Sequence, residues 1–367
     1  MFAAFIVTAP GLEAVTAAEL ATLGVPIEKA EPGGLTVQAD AATLARLNLH
    51  LRTATRILVR AAEFHAFSFA ELERHARKVP WGDFLPDGVR PVFRVTSKKS
   101  KLYHEDAVAE RLLRAAGADP AATVVEGAPS QEFVVRVFRD QVTLSADSSG
   151  ELLHRRGYRL ESAKAPIRET LAAAMLLSVG WDGSVPLVDP FAGSGTIPIE
   201  AALIARRIAP GLGRTFSAEG WPSVLPGTFE AERTAAKSEI QADSAVQVCA
   251  SDRDAGAVSA IHANAERAGV LADLDVQQTA FSRIQFPDQA GWIVTNPPYG
   301  MRVGELTKLR NLYAGIGNLL RERGHGWRLA LLLSHPELER QIGTLLSTRW
   351  KALNGGIPVR LATSAPF

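Results

Sequence analysis

The sequence predicts an α/β protein whose C-terminal half is a doubly wound, mainly parallel sheet, with smaller α+β units before it. Three observations predict this. From about residue 165 onward, short apolar runs alternate with stretches of helical spacing, the pattern of strands buried on both faces between covering helices. The first run leads into a glycine-rich turn, Ala192-Gly193-Ser194-Gly195, that opens a helix. A later run, Trp292-Ile293-Val294, stops at Asn296-Pro297-Pro298-Tyr299, because proline cannot donate to a strand ladder.

The whole chain sets the bounds. Its 367 residues, 47% hydrophobic and 22% charged, are those of a globular protein with room for two or three domains. The one cysteine, Cys249, excludes an internal disulfide and a cysteine-based metal cage, which suits a reducing cytoplasm. It lies in an apolar run and reads as a buried thiol. Pro10, Gly11 and Glu13 interrupt the first apolar run, which therefore reads as a strand and not a leader. No apolar stretch approaches the ~20 residues that cross a bilayer. Net charge is only +1, but residues 90–101 hold Arg90, Arg94, Lys98, Lys99 and Lys101 with no acid. Residues 155–168 hold Arg155, Arg156, Arg159, Lys164 and Arg168 against Glu161. Such runs are either solvated faces or contacts to a polyanion.

In order, residues 1–64 predict strands at "FAAFIVTA", "LTVQA" and "RILVRAAEF" with helices near 12–23 and 40–51, a small ferredoxin-like sandwich. Residues 65–154 begin with Ser68 three before Glu71, a capping pattern, and continue with the strand "PVFRVTS", the helix "HEDAVAERLLRAAG" and the strands "EFVVRVFR" and "QVTLSAD". Residues 155–168 read as a linker. The second half then places strands at 186–190, 246–252, 274–280, 291–296 and 327–334, and a closing hairpin in "WKALNGGIPVRLAT".

The chemistry concentrates at three strand tips. Gly193 and Gly195 let the backbone pass close to a ligand at a helix N-terminus. A dinucleotide fingerprint needs a third glycine where Pro198 stands, and no phosphate-loop lysine follows, so a smaller nucleoside-bearing ligand fits better than NAD or ATP. Asp252 ends the next strand, where an acid can accept ribose hydroxyls; Asp254 is the better helix cap. In a doubly wound sheet the first and fourth strands are neighbours, so the glycine turn and the Asn296 corner face one another across the crevice. There the Asn296 side-chain oxygen and the Pro297 carbonyl converge on the two hydrogens of a planar amine, and Tyr299 offers an aromatic face to its base. No general base is nominated; His262 and His325 read as surface residues, Tyr158 and Trp181 as packing residues.

"DPFAGSGT" followed about a hundred residues later by "NPPYG" resembles the S-adenosylmethionine-dependent amino methyltransferases. "PGLEAVTAAELATLGV", "SADSSGELLHRRGYR" and "APIRETLAAAMLL" resemble the THUMP-domain RNA methyltransferases that make N2-methylguanosine, closest to the bacterial large-subunit rRNA branch, with a tRNA branch on the same plan. The resemblance runs over essentially the whole chain. It implies a ferredoxin-like domain (1–64), a THUMP RNA-binding module (65–154), a linker (155–168) and a Rossmann-like methyltransferase domain (169–367). It further implies that Asp189, Gly193 and Gly195 border the methionine part of S-adenosylmethionine, Asp252 the ribose, and Ala280 and Phe281 the adenine, with Ala192 and Thr196 also against the cofactor. Asn296, Pro297 and Tyr299 hold the target base, with Asn296 also against the cofactor; no metal is implied. Ala280 stands where the family commonly has an acid for the adenine amino group. RNA is the implied partner, with Arg94, Lys98, Lys99, Lys101, Arg155 and Arg156 as contacts to its backbone. The rival readings are a DNA adenine methyltransferase, a non-catalytic RNA-binding assembly factor and an NAD-dependent oxidoreductase.

Overall fold

The computed structural model describes residues 1–121, 127–161, 167–299 and 306–367. Lys164 of the second basic run and Gly300, which closes the proline corner, lie outside the described residues.

The first half forms β1 (Phe2–Thr8), α1 (Glu13–Thr22), β2 (Ile27–Glu31), β3 (Gly34–Ala39), α2 (Ala41–His50), β4 (Ala54–His65), α3 (Phe69–Ala76), β5 (Arg90–Lys98), α4 (Glu105–Ala115), β6 (Ser130–Phe138) and β7 (Gln141–Asp147). Two of these helices start on caps: Asp40 accepts from the Thr43 N–H at 2.7 Å, and Ser68 from the Glu71 N–H at 3.3 Å. Capping side chains satisfy N–H groups that have no partner inside the helix.

These strands make one seven-stranded sheet, in the order β2-β3-β1-β4-β7-β6-β5. β4 pairs with β1 on one side and β7 on the other. The sequence boundary at 64/65 is therefore no break in the sheet, because one twelve-residue strand serves both units. β2, which pairs with β3, was not expected: its residues are exposed apart from half-buried Glu31, so no alternation marks it.

The second half forms α5 (Glu169–Ser178), β8 (Leu187–Asp189), α6 (Thr196–Ala205), α7 (Thr228–Ser238), β9 (Val248–Asp252), α8 (Ala255–Arg267), β10 (Leu274–Gln278), β11 (Trp292–Thr295), α9 (Leu306–Arg323), β12 (Arg328–Leu333), α10 (Pro336–Ile342), β13 (Leu346–Asn354) and β14 (Ile357–Ser364). The sheet order is β10-β9-β8-β11-β12-β14-β13, parallel from β10 to β12 and closed by the antiparallel hairpin. β8 and β11 are neighbours, with Trp292 opposite Leu187 and Ile293 opposite Val188. The strand order reverses there, and in such sheets the crevice beyond the strand ends takes the ligand.

The expected linker is not loose. The Arg156 guanidinium is buried, donates to the Arg52 carbonyl and lies 3.5 Å from Glu200 of α6. The Tyr158 hydroxyl bonds the same carboxylate at 3.1 Å. The segment between α6 and β9 crosses to the first sheet, where Phe216, Trp221, Val224 and Phe229 join its core. Trp221 Nε1 donates to Gln131 Oε1 at 2.7 Å. In return, Leu12 joins the core of the second sheet. At Gly11 (φ +96°) a Cβ would fall 1.8 Å from the Lys351 carbonyl oxygen, so only glycine lets these backbones meet.

Candidate active site

Each tip of the parallel strands places one expected residue. Asp189 ends β8 with 1% of its surface exposed. Its Oδ1 accepts from the Phe191 N–H at 3.1 Å and from the Thr295 hydroxyl at 2.6 Å. Thr295 directly precedes Asn296, so this carboxyl ties the glycine turn to the proline corner across the β8–β11 junction. Burial pushes its pKa up to about 7, helped by the Asp252 charge and opposed by those two hydrogen bonds.

The turn after β8 enters α6 through Gly193 and Gly195, both at positive φ (56° and 87°). A Cβ on Gly195 would lie 3.2 Å from Ile199 and Ile261, so this glycine also lets α6 pack against α8. Thr196 is the first residue of α6 and is buried; Pro198 follows two places later, where its missing N–H costs no helical bond. The Ala192 N–H bonds the Ser251 carbonyl at 3.0 Å, which fixes the turn to β9.

Asp252 ends β9. Its Oδ2 accepts from the Gly193 N–H at 3.1 Å and its Oδ1 from the Asp254 N–H at 3.0 Å. A carboxylate has about four acceptor positions, so capacity remains for a ligand hydroxyl. Asp254 caps α8 by accepting from the Ala257 N–H at 3.0 Å. Ala280 and Phe281 follow β10, and the Phe281 ring lies 5.4 Å from that of Phe191 in the glycine turn. The residues expected to border a nucleoside cofactor thus lie together on three adjacent tips.

The proline corner holds the most telling atom. Among the described residues, Asn296 Oδ1 is buried with no hydrogen-bond partner. Ser251 Oγ beside Asp252 and Ser334 Oγ just past β12 share that state. Unpaired buried polar groups are expensive, and three of them gather at the ends of β9, β11 and β12. Pro297 is buried.

Tyr299 requires a correction. It was expected to offer an open ring face, but it is 7% exposed and belongs to the core of this half. Its hydroxyl accepts from Asn354 Nδ2 at the tip of the β13–β14 hairpin. The ring anchors the corner from behind, so the expected stacking surface is not presented. Asn354 was missed: the "NGG" turn marks a hairpin, but nothing local says that its amide reaches a residue 55 positions earlier.

The basic residues divide. Arg94 is paired with Glu132 at 3.1 Å, and Arg155 with Glu151 at 3.2 Å. Arg156 is corrected: with 3% of its side chain exposed and Glu200 beside it, it holds the two halves together and does not reach solvent. Lys98, Lys99 and Lys101 are exposed. Cys249 is half-buried, and burial together with Asp275 pushes its thiol up to about 12, far from a reactive thiolate. His262 and His325 are exposed, whereas Tyr158 and Trp181 are buried. Among the described residues no group of three or more His, Cys, Asp or Glu could hold a metal, and no helix is long and apolar enough to cross a membrane.

A parallel sheet whose order reverses at β8 and β11, with a glycine turn and a proline corner at that junction, is the α/β methyltransferase class of fold. More narrowly, residues 156–362 match the RMKL-like methyltransferase domain and residues 3–58 the RlmL ferredoxin-like domain, and the chain belongs to the RMKL-like methyltransferase family. It is 36% identical over 383 residues to the ribosomal RNA large subunit methyltransferase K/L of Syntrophotalea carbinolica, covering 97% of this chain and 53% of that one. It is 36% identical over 366 residues to YpsC of Bacillus subtilis (strain 168), covering 96% and 93%. The chain thus spans about half the length of the K/L relative and nearly all of YpsC. The crystal structure of SMU.472 complexed with SAH superposes with a TM-score of 0.91 at 30% identity, over 100% of this chain and 98% of that one.

Proposed function

We propose that the chain is an S-adenosylmethionine-dependent RNA methyltransferase acting on the exocyclic N2 of a guanosine in 23S rRNA. The observation that carries this reading is the buried Asn296 Oδ1, without a partner among the described residues and one residue from the Asp189–Thr295 tie to the glycine turn. The K/L relatives' name supports a large-subunit rRNA substrate, and the SAH in SMU.472 supports the donor.

The residues present fit that donor. Asp189 is a buried carboxyl with no basic side chain bonded to it among the described residues, suited to a ligand amine; Gly193 permits close backbone approach; Asp252 keeps acceptor capacity for ribose hydroxyls; Ala280 and Phe281 border the adenine. Bound there, S-adenosylmethionine supplies a methyl carbon on a positively charged sulfur. Asn296 Oδ1 and the Pro297 carbonyl accept the two hydrogens of the guanine amine and fix its direction of approach. They also stabilise the positive charge that grows on nitrogen as it gains the methyl group and before one proton leaves. The base must be unpaired or flipped out, because a duplex encloses its N2. Residues 1–64 form the ferredoxin-like unit, 65–154 a THUMP module that holds RNA, and 169–367 the catalytic domain, with 155–168 as the connection.

Mass-spectrometric nucleoside analysis tests this. N2-methylguanosine should fall in the 23S fraction of a deletion strain and return with the wild-type gene but not with Asn296→Ala. Loss confined to tRNA would assign the tRNA branch. No loss of methylguanosine in either fraction would overturn the proposal.

A further inference from the structure

One end of the first sheet carries a surface that the catalytic reading leaves unexplained. Three segments meet there: residues 65–67 after β4, 98–104 after β5, and 138–141 between β6 and β7. Hydrogen bonds lock them together. The Lys101 N–H bonds Asp140 Oδ1 at 2.7 Å, the Asp140 N–H bonds Ser100 Oγ at 3.0 Å, and the Ala66 N–H bonds the Asp140 carbonyl at 3.0 Å.

Two kinds of group project from this frame. Phe67 and Tyr103 are large rings left 50% and 67% exposed. Phe67 lies parallel to the exposed His65 ring at 6.3 Å, and Tyr103 lies 4.1 Å from His104. Lys98, Lys99, Lys101 and Arg139 are all exposed, and among the described residues none forms an ion pair; Lys101 sits 5.1 Å over the Phe67 ring. Three of the local acids are occupied with backbone N–H groups instead: Asp140 with Lys101, Glu105 with Ser97, and Glu71 with Phe67. Asp106 remains as an exposed acid on the first turn of α4.

The backbone here is also costly. Four non-glycine residues among those described have positive φ, and three belong to this frame: Lys99 (53°), Arg139 (52°) and Asp140 (62°). Glycine would be cheaper at each position. Strain of this kind persists where the surrounding structure enforces it and collects at functional surfaces. The chain retains cations at two of these three positions.

We propose that this end of the sheet is a docking platform for unpaired RNA. Phe67 and Tyr103 stack nucleobases, and Lys98, Lys99, Lys101 and Arg139 take the adjoining phosphates. Aromatic faces stack on any exposed base, whereas the bases of a duplex are already stacked on one another. Cations over and beside the rings suit a strand whose bases and phosphates alternate within a few ångströms. The proposal rests on the RNA reading above and deepens it: the RNA held here is single-stranded.

The test is fluorescence anisotropy of the full chain with a twelve-nucleotide unstructured pyrimidine RNA and with a duplex RNA of the same length, across a salt series. The Phe67→Ala/Tyr103→Ala chain should bind the single strand at least roughly 30-fold more weakly with the salt slope unchanged, because no charge is removed. Duplex RNA should bind more weakly than the single strand and be indifferent to that pair of substitutions. Lys99→Gly and Arg139→Gly should each raise the Tm while weakening RNA binding, a combination that a merely structural role would not produce. Wild-type affinity in the double-aromatic chain, or equal sensitivity of the duplex, overturns the platform and leaves the catalytic proposal standing. A wild-type chain that binds neither RNA overturns both.

Discussion

The ends of the two seven-stranded sheets hold different unpaired groups among the described residues. At the tips of the parallel sheet they are buried and neutral: Asn296 Oδ1, Ser251 Oγ and Ser334 Oγ. At the rim of the first sheet they are exposed and charged: Lys98, Lys99 and Lys101. A buried acceptor without a partner is costly until a ligand enters and donates to it. An exposed cation loses little in water and gains by displacing counterions from a polyanion. On the proposed reading, the contrast assigns each kind of partner its place, a small planar amine inside one end and a phosphate backbone outside the other.

The largest effect should come from Asn296→Ala. Removing one preorganised group that meets developing charge costs roughly 10²- to 10³-fold in rate, while RNA affinity should stay within about twofold. Single-turnover methyl transfer measured beside anisotropy checks both halves. If affinity falls in step with rate, the corner holds RNA in general and the division fails.

Next come the exposed cations. Lys98→Ala, Lys99→Ala and Lys101→Ala together should weaken binding at least about tenfold at moderate salt. They should also reduce the log–log salt slope by about 2, from roughly 0.7 per phosphate contact on a single strand. Arg94→Ala should do less, because Glu132 already holds that guanidinium. An unchanged slope in the triple variant would remove the phosphate assignment from this rim.

A smaller effect, on rate alone, is expected from Asn354→Ala. Its amide fixes the Tyr299 hydroxyl, so losing one hydrogen bond, worth about 1 kcal/mol, should lower kcat by roughly 5- to 10-fold and leave the donor KM unchanged. Tyr299→Phe added to Asn354→Ala should cost little more, since both remove the same bond. Full additivity would show that the hairpin does not position the corner.

The backbone of the candidate site was legible because its information is local. Gly193, Gly195 and Pro297 each impose a backbone shape that reads directly from residue type, and the winding rule then makes β8 and β11 neighbours. The charged surface was only half legible. In the sequence Arg156 and Lys99 are alike, each a cation in a basic run, yet one folds against Glu200 and the other into solvent. That outcome depends on partners dozens of residues away. For the same reason the sequence hid the return of residues 216–229 to the first sheet, the sharing of β4 between both units, and the reach of Asn354 to Tyr299.

The smallest predicted effect probes the tie between the two corners. In the folded chain the Asp189 pKa stands at about 7, against 3.8 as its ordinary value. Between those values the folded chain holds a proton that the unfolded chain has released, so folding is favoured by low pH there. This contribution is fully present below about 3.8 and is lost as pH rises through 7. Asp189→Asn keeps an oxygen that accepts from Thr295 and Phe191 but cannot ionise. The Tm of wild type minus that of the variant should therefore fall by roughly a few degrees from pH 5 to about 7 and be level above that. Asp147 and Glu169, raised to about 6 and about 7, ionise over the same range but do so in both chains, so the difference isolates Asp189. A difference that stays level from pH 5 to 8 would place a compensating charge or water at the β8–β11 junction, and the buried end would then no longer contrast with the exposed one.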